Sequence, residues 1–214
     1  MMPQHAPALV LASASPRRRA LLARLVPHFK VTNPAVDETP LQGESSHALA
    51  RRLATAKARA VSRAQPRAAV LAADTVVVVD AEPLGKPADA TEARAVLARL
   101  RGRVHRVITA VCVVPPGTEP MTHMIETRVR MRDYDDAEID AYVASGDPLD
   151  KAGAHAIQDR RFRPVAQITV LHERRGTSAV FGPRAARYSW GRVDYRRPGR
   201  LRAPRGVGAA AYRD

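Results

Sequence analysis

Apolar positions change their period several times along the first 169 residues, and each change marks a predicted element. LVLAS (Leu9 to Ser13) reads as a strand. A helix follows from Pro16 to about Val26, with Leu21, Leu22 and Leu25 as its buried stripe, Ser15 as N-cap and Pro16 in the first turn. After FKVTN comes a polar loop holding Asp37 and Glu38, then a second helix from about Ser46 to Arg63. AVLAADTVVVVD reads as a strand, AEPLGKP as a turn, TEARAVLARLRG as a helix closed by Gly102, and VHRVITAVCVV as a long strand. PPGTEP turns the chain into the alternating MTHMIETRVRMR, the mark of an antiparallel partner strand. Asp135 and Glu138 form a capping box for a helix running through Ala144. This pattern is α/β, with a mixed sheet and no internal repeat.

Composition sets the outer bounds. At 214 residues and 45% hydrophobic content, the chain can bury a real core and reads as one domain with room for two lobes. No stretch approaches the roughly eighteen consecutive apolar residues of a membrane helix. The start, MMPQHAPALVLAS, lacks the charged region and long apolar core of a signal peptide, so a cytoplasmic location is expected. The single cysteine, Cys112, lies in VITAVCVV as a small buried hydrophobe, without a second cysteine for a disulfide or a zinc cluster. A net charge of +14 would ordinarily point to nucleic acid, but its distribution argues otherwise. From Val170 onward, eleven arginines face only Glu173, Asp194 and Asp214, so that one segment carries +8.

The candidate chemistry begins with lysine. The chain uses arginine almost throughout, yet three of its four lysines, Lys57, Lys86 and Lys151, stand in short polar islands. A retained lysine suits a site that wants a compact ammonium rather than a planar fork. Leu49, Leu53, Lys57 and Val61 fall at i, i+4 spacing, which puts the Lys57 ammonium on an apolar stripe, where it must snorkel or find a partner. Asp74 interrupts LAADTVVVV, where strand propensity alone prefers an apolar residue, and a buried carboxylate there needs a cation or a hydrogen-bond donor. In SASPRRR a strand runs into a capped helix start, which favours an anion, with Arg17 and Arg18 adding mobile positive charge. Each island alone has an ordinary structural explanation. Their convergence, with acids suited to a hard divalent ion and several cations suited to a polyphosphate, describes a phosphate-handling enzyme. The sequence has no GxxxxGK[ST] loop, GxSxG elbow, HExxH or GxGxxG to support another chemistry, and His105 and His155 read as structural histidines.

SASPRRRALL, VDETP, RLATAKARAV, AADTVVVVD with GKP, GRVHRVITAV and YVASGDPLDKAGAHAIQ occur in an order and spacing that resemble the Maf family of nucleoside triphosphate pyrophosphatases. The resemblance covers about residues 8 to 169. It implies an elongated α/β fold, a mixed twisted sheet flanked by helices, with a substrate cleft between two lobes similar to inosine triphosphate pyrophosphatases. It implies hydrolysis of a nucleoside triphosphate to monophosphate and pyrophosphate with a divalent metal, Mg or Mn. By the same resemblance, Asp74 matches the proton acceptor and a metal ligand, and Glu38 a second acid of the metal site. Ser13, Arg18, Lys57 and Lys86 match residues that hold the triphosphate. Arg17, Thr75 and Gln158 match positions that separate a dTTP- and UTP-acting subfamily from one acting on 7-methyl-GTP, and the ADT and AIQ wording favours the former. A buried Gln158 amide is expected to pair with the imide edge of the base. A homodimer is implied, and neither a membrane nor nucleic acid is expected as a partner. The rival readings are another base preference within the same chemistry, or a non-enzymatic role in nucleic-acid binding or cell-division inhibition.

The segment 170–214 departs from this pattern. Its RRPGRLRAPRG run is poor in periodic apolar residues and reads as an aberrant basic tail, disordered or badly specified. The resemblance calls for a strand, a Gly-Leu-Pro-Leu turn and a final helix after AIQDRRFRPVAQIT, where the chain instead has VLHERRGTSAV. Those residues can be encoded GTG CTA CAC GAA CGT CGT GGG ACT TCC GCT. Read one base later, the string gives Cys-Tyr-Thr-Asn-Val-Val-Gly-Leu-Pro, with CT opening a leucine codon. The expectation is a reading-frame error, which replaces elements able to bury apolar surface with ones that cannot. Sequencing the gene around Thr169, with an intact mass of the expressed protein, is expected to reveal a missing or extra base. Verified DNA that encodes Val170 to Asp214 in frame, with different codons, contradicts it.

Overall fold

The computed structural model describes residues 7–172. The chain runs β1 (Leu9–Ala12), α1 (Pro16–Ala23), β2 (Lys30–Thr32), α2 (Ser46–Ala64), β3 (Ala69–Val79) and β4 (Glu82–Leu84). It continues through α3 (Ala90–Leu100), β5 (Val104–Val114), β6 (Met121–Met131), α4 (Asp136–Ala144), two short 3-10 turns (Asp147–Asp150 and Ala152–Ala154) and β7 (Val165–His172). The strands form one seven-stranded sheet in the order β2-β1-β3-β5-β6-β7, with β4 paired to β3. β1 runs parallel to β2 and β3, while β3, β5, β6 and β7 pair antiparallel, so the sheet is mixed as its alternation predicts. No helix among the described residues is long and apolar enough to cross a membrane.

Each face of the sheet carries its own core. α2 lays Leu49, Leu53 and Val61 against Val10, Val70, Ala72, Ile108 and Cys112. On the other cluster, α3 and α4 contribute Leu97, Leu100, Ile139 and Tyr142, closed by Tyr134, Phe162 and Ile168. Successive β3 residues point to opposite faces. Asp74 therefore faces α2, and Thr75 faces away from it.

Local chemistry holds most of the predicted boundaries. Ser15 caps α1, accepting from the Arg18 N–H, and the capping box of α4 is present in both directions. Gly102 has φ of +65° after α3, where a side chain would be strained. α1 is shorter than its pattern predicts. It ends at Ala23, and of the expected stripe only Leu22 is buried, while Leu21 and Leu25 are 60% and 81% exposed. Leu25 lies beyond the last helical turn, so helical spacing no longer aims it at the core. The AEPLGKP turn contains a strand that composition hides: Asp80 and Ala81 take positive φ and form a tight reversal that pairs β4 with β3. At the other end, β7 pairs Val170, Leu171 and His172 with Thr127, Glu126 and Ile125. The boundary expected after Thr169 thus falls inside a strand, and the rest of the basic segment lies outside the described residues.

Two buried histidines lie against the second core. His105 is 1% exposed on β5 and stacks edge-on to His155, with ring centroids 4.9 Å apart. His155 Nδ1 donates to the Gly153 carbonyl at 2.8 Å, whereas neither ring nitrogen of His105 has a partner among the described residues. Burial, with His155 adding to it, depresses the His105 pKa to about 3, and burial also lowers that of His155. In the unfolded chain both rings take up protons as pH falls through about 6.5. The folded chain resists this uptake, so the stability conferred by neutral burial is present above about pH 6.5 and is lost as pH falls toward the folded values. Each unmatched proton costs about 1.4 kcal/mol per pH unit. The urea midpoint is expected to drop steadily below about pH 6.5, and His105→Leu to remove close to one proton from that slope. A slope unchanged by the substitution contradicts the assignment.

Candidate active site

The i, i+4 stripe of α2 delivers Lys57 to the sheet, where its ammonium is 90% buried on a side-chain basis and does find partners. Lys57 Nζ donates to Asp74 Oδ1 at 2.7 Å and lies 2.6 Å from Glu38 Oε1. Asp74 is 7% exposed, and Glu38 reaches in from the loop before α2 with its side chain 58% exposed. Burial raises the pKa of Asp74 above the ordinary carboxylate range, and Lys57 and Arg18 only partly oppose that shift. The result is a carboxylate with more appetite for a proton than a solvated aspartate, held in place by one hydrogen bond.

Arg18 crosses from α1 to the same strand. Its Nη1 donates to the Ala73 carbonyl at 2.6 Å and its Nη2 to Thr75 Oγ1 at 3.2 Å, so it brackets Asp74 from either side along β3. Ser13 is buried at the end of β1, and its Oγ accepts from the Ser15 N–H at 3.1 Å. Ser13, Arg18, Lys57, Asp74, Thr75 and Glu38 thus converge around the middle of β3, as their motifs suggest. Of these, Ser13 also lines a hollow of about 370 Å³, with Ser15, Pro16, Arg19 and Asn33.

Of the remaining predicted residues, Arg17 lies on α1, Lys86 on the GKP turn and Gln158 after the second 3-10 turn. Gly153 donates its N–H to the Gly85 carbonyl at 3.0 Å, tying the GKP turn to the DKAGAH segment. Gly153 has φ of +69°, and a Cβ there would meet Val77 Cγ1 at 2.9 Å, so only glycine allows this approach. Lys86 is exposed on that turn, and Lys86 and exposed Arg17 both help hold the Asp150 carboxyl below its usual range, behind the larger effect of Lys151. Lys151 itself is committed locally, to Asp150 Oδ1 at 2.5 Å and to the Asp147 carbonyl. Gln158 is exposed, not buried as expected for a residue that reads a base. It lies in a turn closed by the Asp159 N–H to the Ala156 carbonyl at 3.1 Å.

Two supporting features escape the motif reading. Arg52 donates to Glu44 through Nε at 2.8 Å and Nη2 at 2.9 Å, and again to the Thr39 carbonyl at 2.9 Å. This clamp fixes the Glu38 loop to α2. Its only sequence trace is an acid eight residues before an arginine, a spacing without helical meaning across a loop. The second is Thr109, whose hydroxyl lies 3.2 Å from that of Thr75 and whose β5 position is directly opposite it.

A divalent cation fits this donor set. The Lys57 ammonium marks a point where two carboxylates already meet around positive charge, and a small hard cation needs one or two carboxylates, with substrate oxygens and water completing its shell. Among the described residues, no group of three or more His, Cys, Asp or Glu side chains is assembled for a metal, and Glu38 and Asp74 are the residues that would hold one.

Comparison with known proteins places the chain in a family. The model of the Maf-like protein family matches residues 8–172. A dTTP/UTP pyrophosphatase of Myxococcus xanthus is 52% identical over 152 residues, covering 71% of this chain and 76% of that protein. Another from Thermomicrobium roseum is 54% identical over 159 residues, covering 73% and 72% of the two chains. Among solved structures, the Staphylococcus aureus Ham1 protein aligns at TM-score 0.46 and 18% identity, over 73% of this chain and 93% of its own. With the family model matched across residues 8–172, this chain belongs to the Maf-like protein family.

Proposed function

We propose that the chain hydrolyses nucleoside triphosphates, dTTP and UTP foremost, to nucleoside monophosphate and pyrophosphate. The observation that carries this reading is the Lys57 ammonium clasped between Glu38 and Asp74 at the middle of β3. Family membership supports the reaction class, and the dTTP/UTP pyrophosphatases at about 50% identity support the pyrimidine preference.

In this reading Asp74 accepts a proton from the water that attacks the α-phosphorus. The bond between that phosphorus and the bridging oxygen to the β-phosphate breaks, and pyrophosphate leaves with the electron pair. Burial suits Asp74 to the role by raising its proton affinity. Arg18, Lys57 and Lys86 offset the charge that develops on the leaving pyrophosphate, and the dry surroundings of Lys57 strengthen its share. A divalent cation held by Glu38 and Asp74 would neutralise phosphate charge and orient the chain of phosphates. The basic surface is not required for this chemistry.

Pyrophosphate release from a triphosphate panel, without nucleic acid, tests both the reaction and the residue. The wild-type chain is expected to turn over dTTP and UTP faster than 7-methyl-GTP, and Asp74→Asn to lower the rate by about 10²–10⁴ while nucleotide binding persists. Faster turnover of 7-methyl-GTP contradicts the substrate assignment. Near-normal rates from the Asp74 variant contradict its role.

A further inference from the structure

Thr75 Oγ1 has two neighbours with opposite demands. Arg18 Nη2 donates to it at 3.2 Å and can only donate, so one Thr75 lone pair is taken. Thr109 Oγ1 lies 3.2 Å away on the other side, able to donate or accept. With Arg18 in place, the arrangement that uses Thr75's own proton sends it to Thr109. Either hydroxyl can donate in this pair; in the order that sends the Thr75 proton to Thr109, Arg18 N–H donates to Thr75 and Thr75 O–H donates to Thr109. Thr75 is left with one lone pair and no proton to offer, while the Thr109 proton is uncommitted. Across the sheet Thr109 faces Ile125, which cannot accept it, and both threonines are only half-buried.

We propose that Thr109 is a specificity-positioning residue: by accepting the Thr75 proton it makes Thr75 an obligate acceptor, and it presents its own hydroxyl as the adjacent donor. An acceptor beside a donor matches the N3–H and a neighbouring carbonyl of uracil or thymine. Cytosine places a lone pair at N3 and opposes the Thr75 lone pair. The polarity of one hydroxyl pair thereby separates two pyrimidines of nearly equal size, which shape alone does poorly. This rests on the dTTP and UTP reading above.

The test is kcat/KM for UTP, dTTP and CTP with the full chain, compared across wild type, Thr109→Val, Thr109→Ser, Thr75→Val and the double variant Thr75→Val/Thr109→Val. Valine keeps the shape of threonine and removes the acceptor, freeing the Thr75 proton to meet cytosine N3. The UTP to CTP ratio is expected to fall about ten-fold or more in Thr109→Val and to be retained in Thr109→Ser. The double variant is expected to discriminate no worse than Thr75→Val alone, because Thr109 acts through Thr75. An unchanged ratio in Thr109→Val, or an equal loss on all three substrates, overturns the inference. So do additive effects in the double variant, a result readable even where Thr109→Val alone folds poorly. A wild-type chain that does not favour UTP over CTP overturns the pyrimidine reading itself, before any variant is considered.

Discussion

The ion pair between Lys57 and Asp74 is the contact on which the site's arrangement depends. It joins a helix to the central strand through two groups that are each less than a tenth exposed, deep enough that neither is well solvated on its own. Desolvating two charges is costly, and a hydrophobic pair of similar volume would often serve stability as well or better. The pair therefore makes sense as chemistry more than as glue. It puts a carboxylate of raised proton affinity and the loop acid Glu38 each within one hydrogen-bond length of a fixed cation.

Strand β3 then divides the labour by its pleat. Asp74 faces α2 and the acid–lysine cluster, while Thr75, one residue on, faces the opposite side and meets Thr109. Arg18 spans this divide by holding the Ala73 carbonyl and the Thr75 hydroxyl together. One strand carries both the acid proposed to take the proton and the hydroxyl proposed to meet the base, and a single arginine couples their positions. The Gly153 to Gly85 bond ties the GKP turn, with Lys86, to the DKAGAH segment.

Much of this was legible because it is written in local periodicity. The stripe Leu49, Leu53, Lys57, Val61 reports its own face, and a lysine on it announces a partner. Asp74 breaks a run of apolar residues and so announces a buried acid. What escaped depends on contacts between distant segments. The Arg52 clamp on Glu44 and Thr39, and the Thr75 to Thr109 pair, join residues with no periodic relation. Leu21 and Leu25 misled because helical spacing says which residues share a face, not where the helix stops. Gln158 misled because a motif position carries no information on burial, which the surrounding turn decides.

The central claim is that Lys57 holds Asp74 in its ionised, aligned form against the pull of burial. Carbon-13 NMR titration of the Asp74 carboxyl in the wild-type chain and in Lys57→Met measures this directly, since methionine keeps the apolar stem and removes only the charge. The account expects the Asp74 pKa, already raised by burial, to rise further in the variant, because the charge and hydrogen bond that oppose burial are gone. A pKa that stays where it is, or falls, contradicts it.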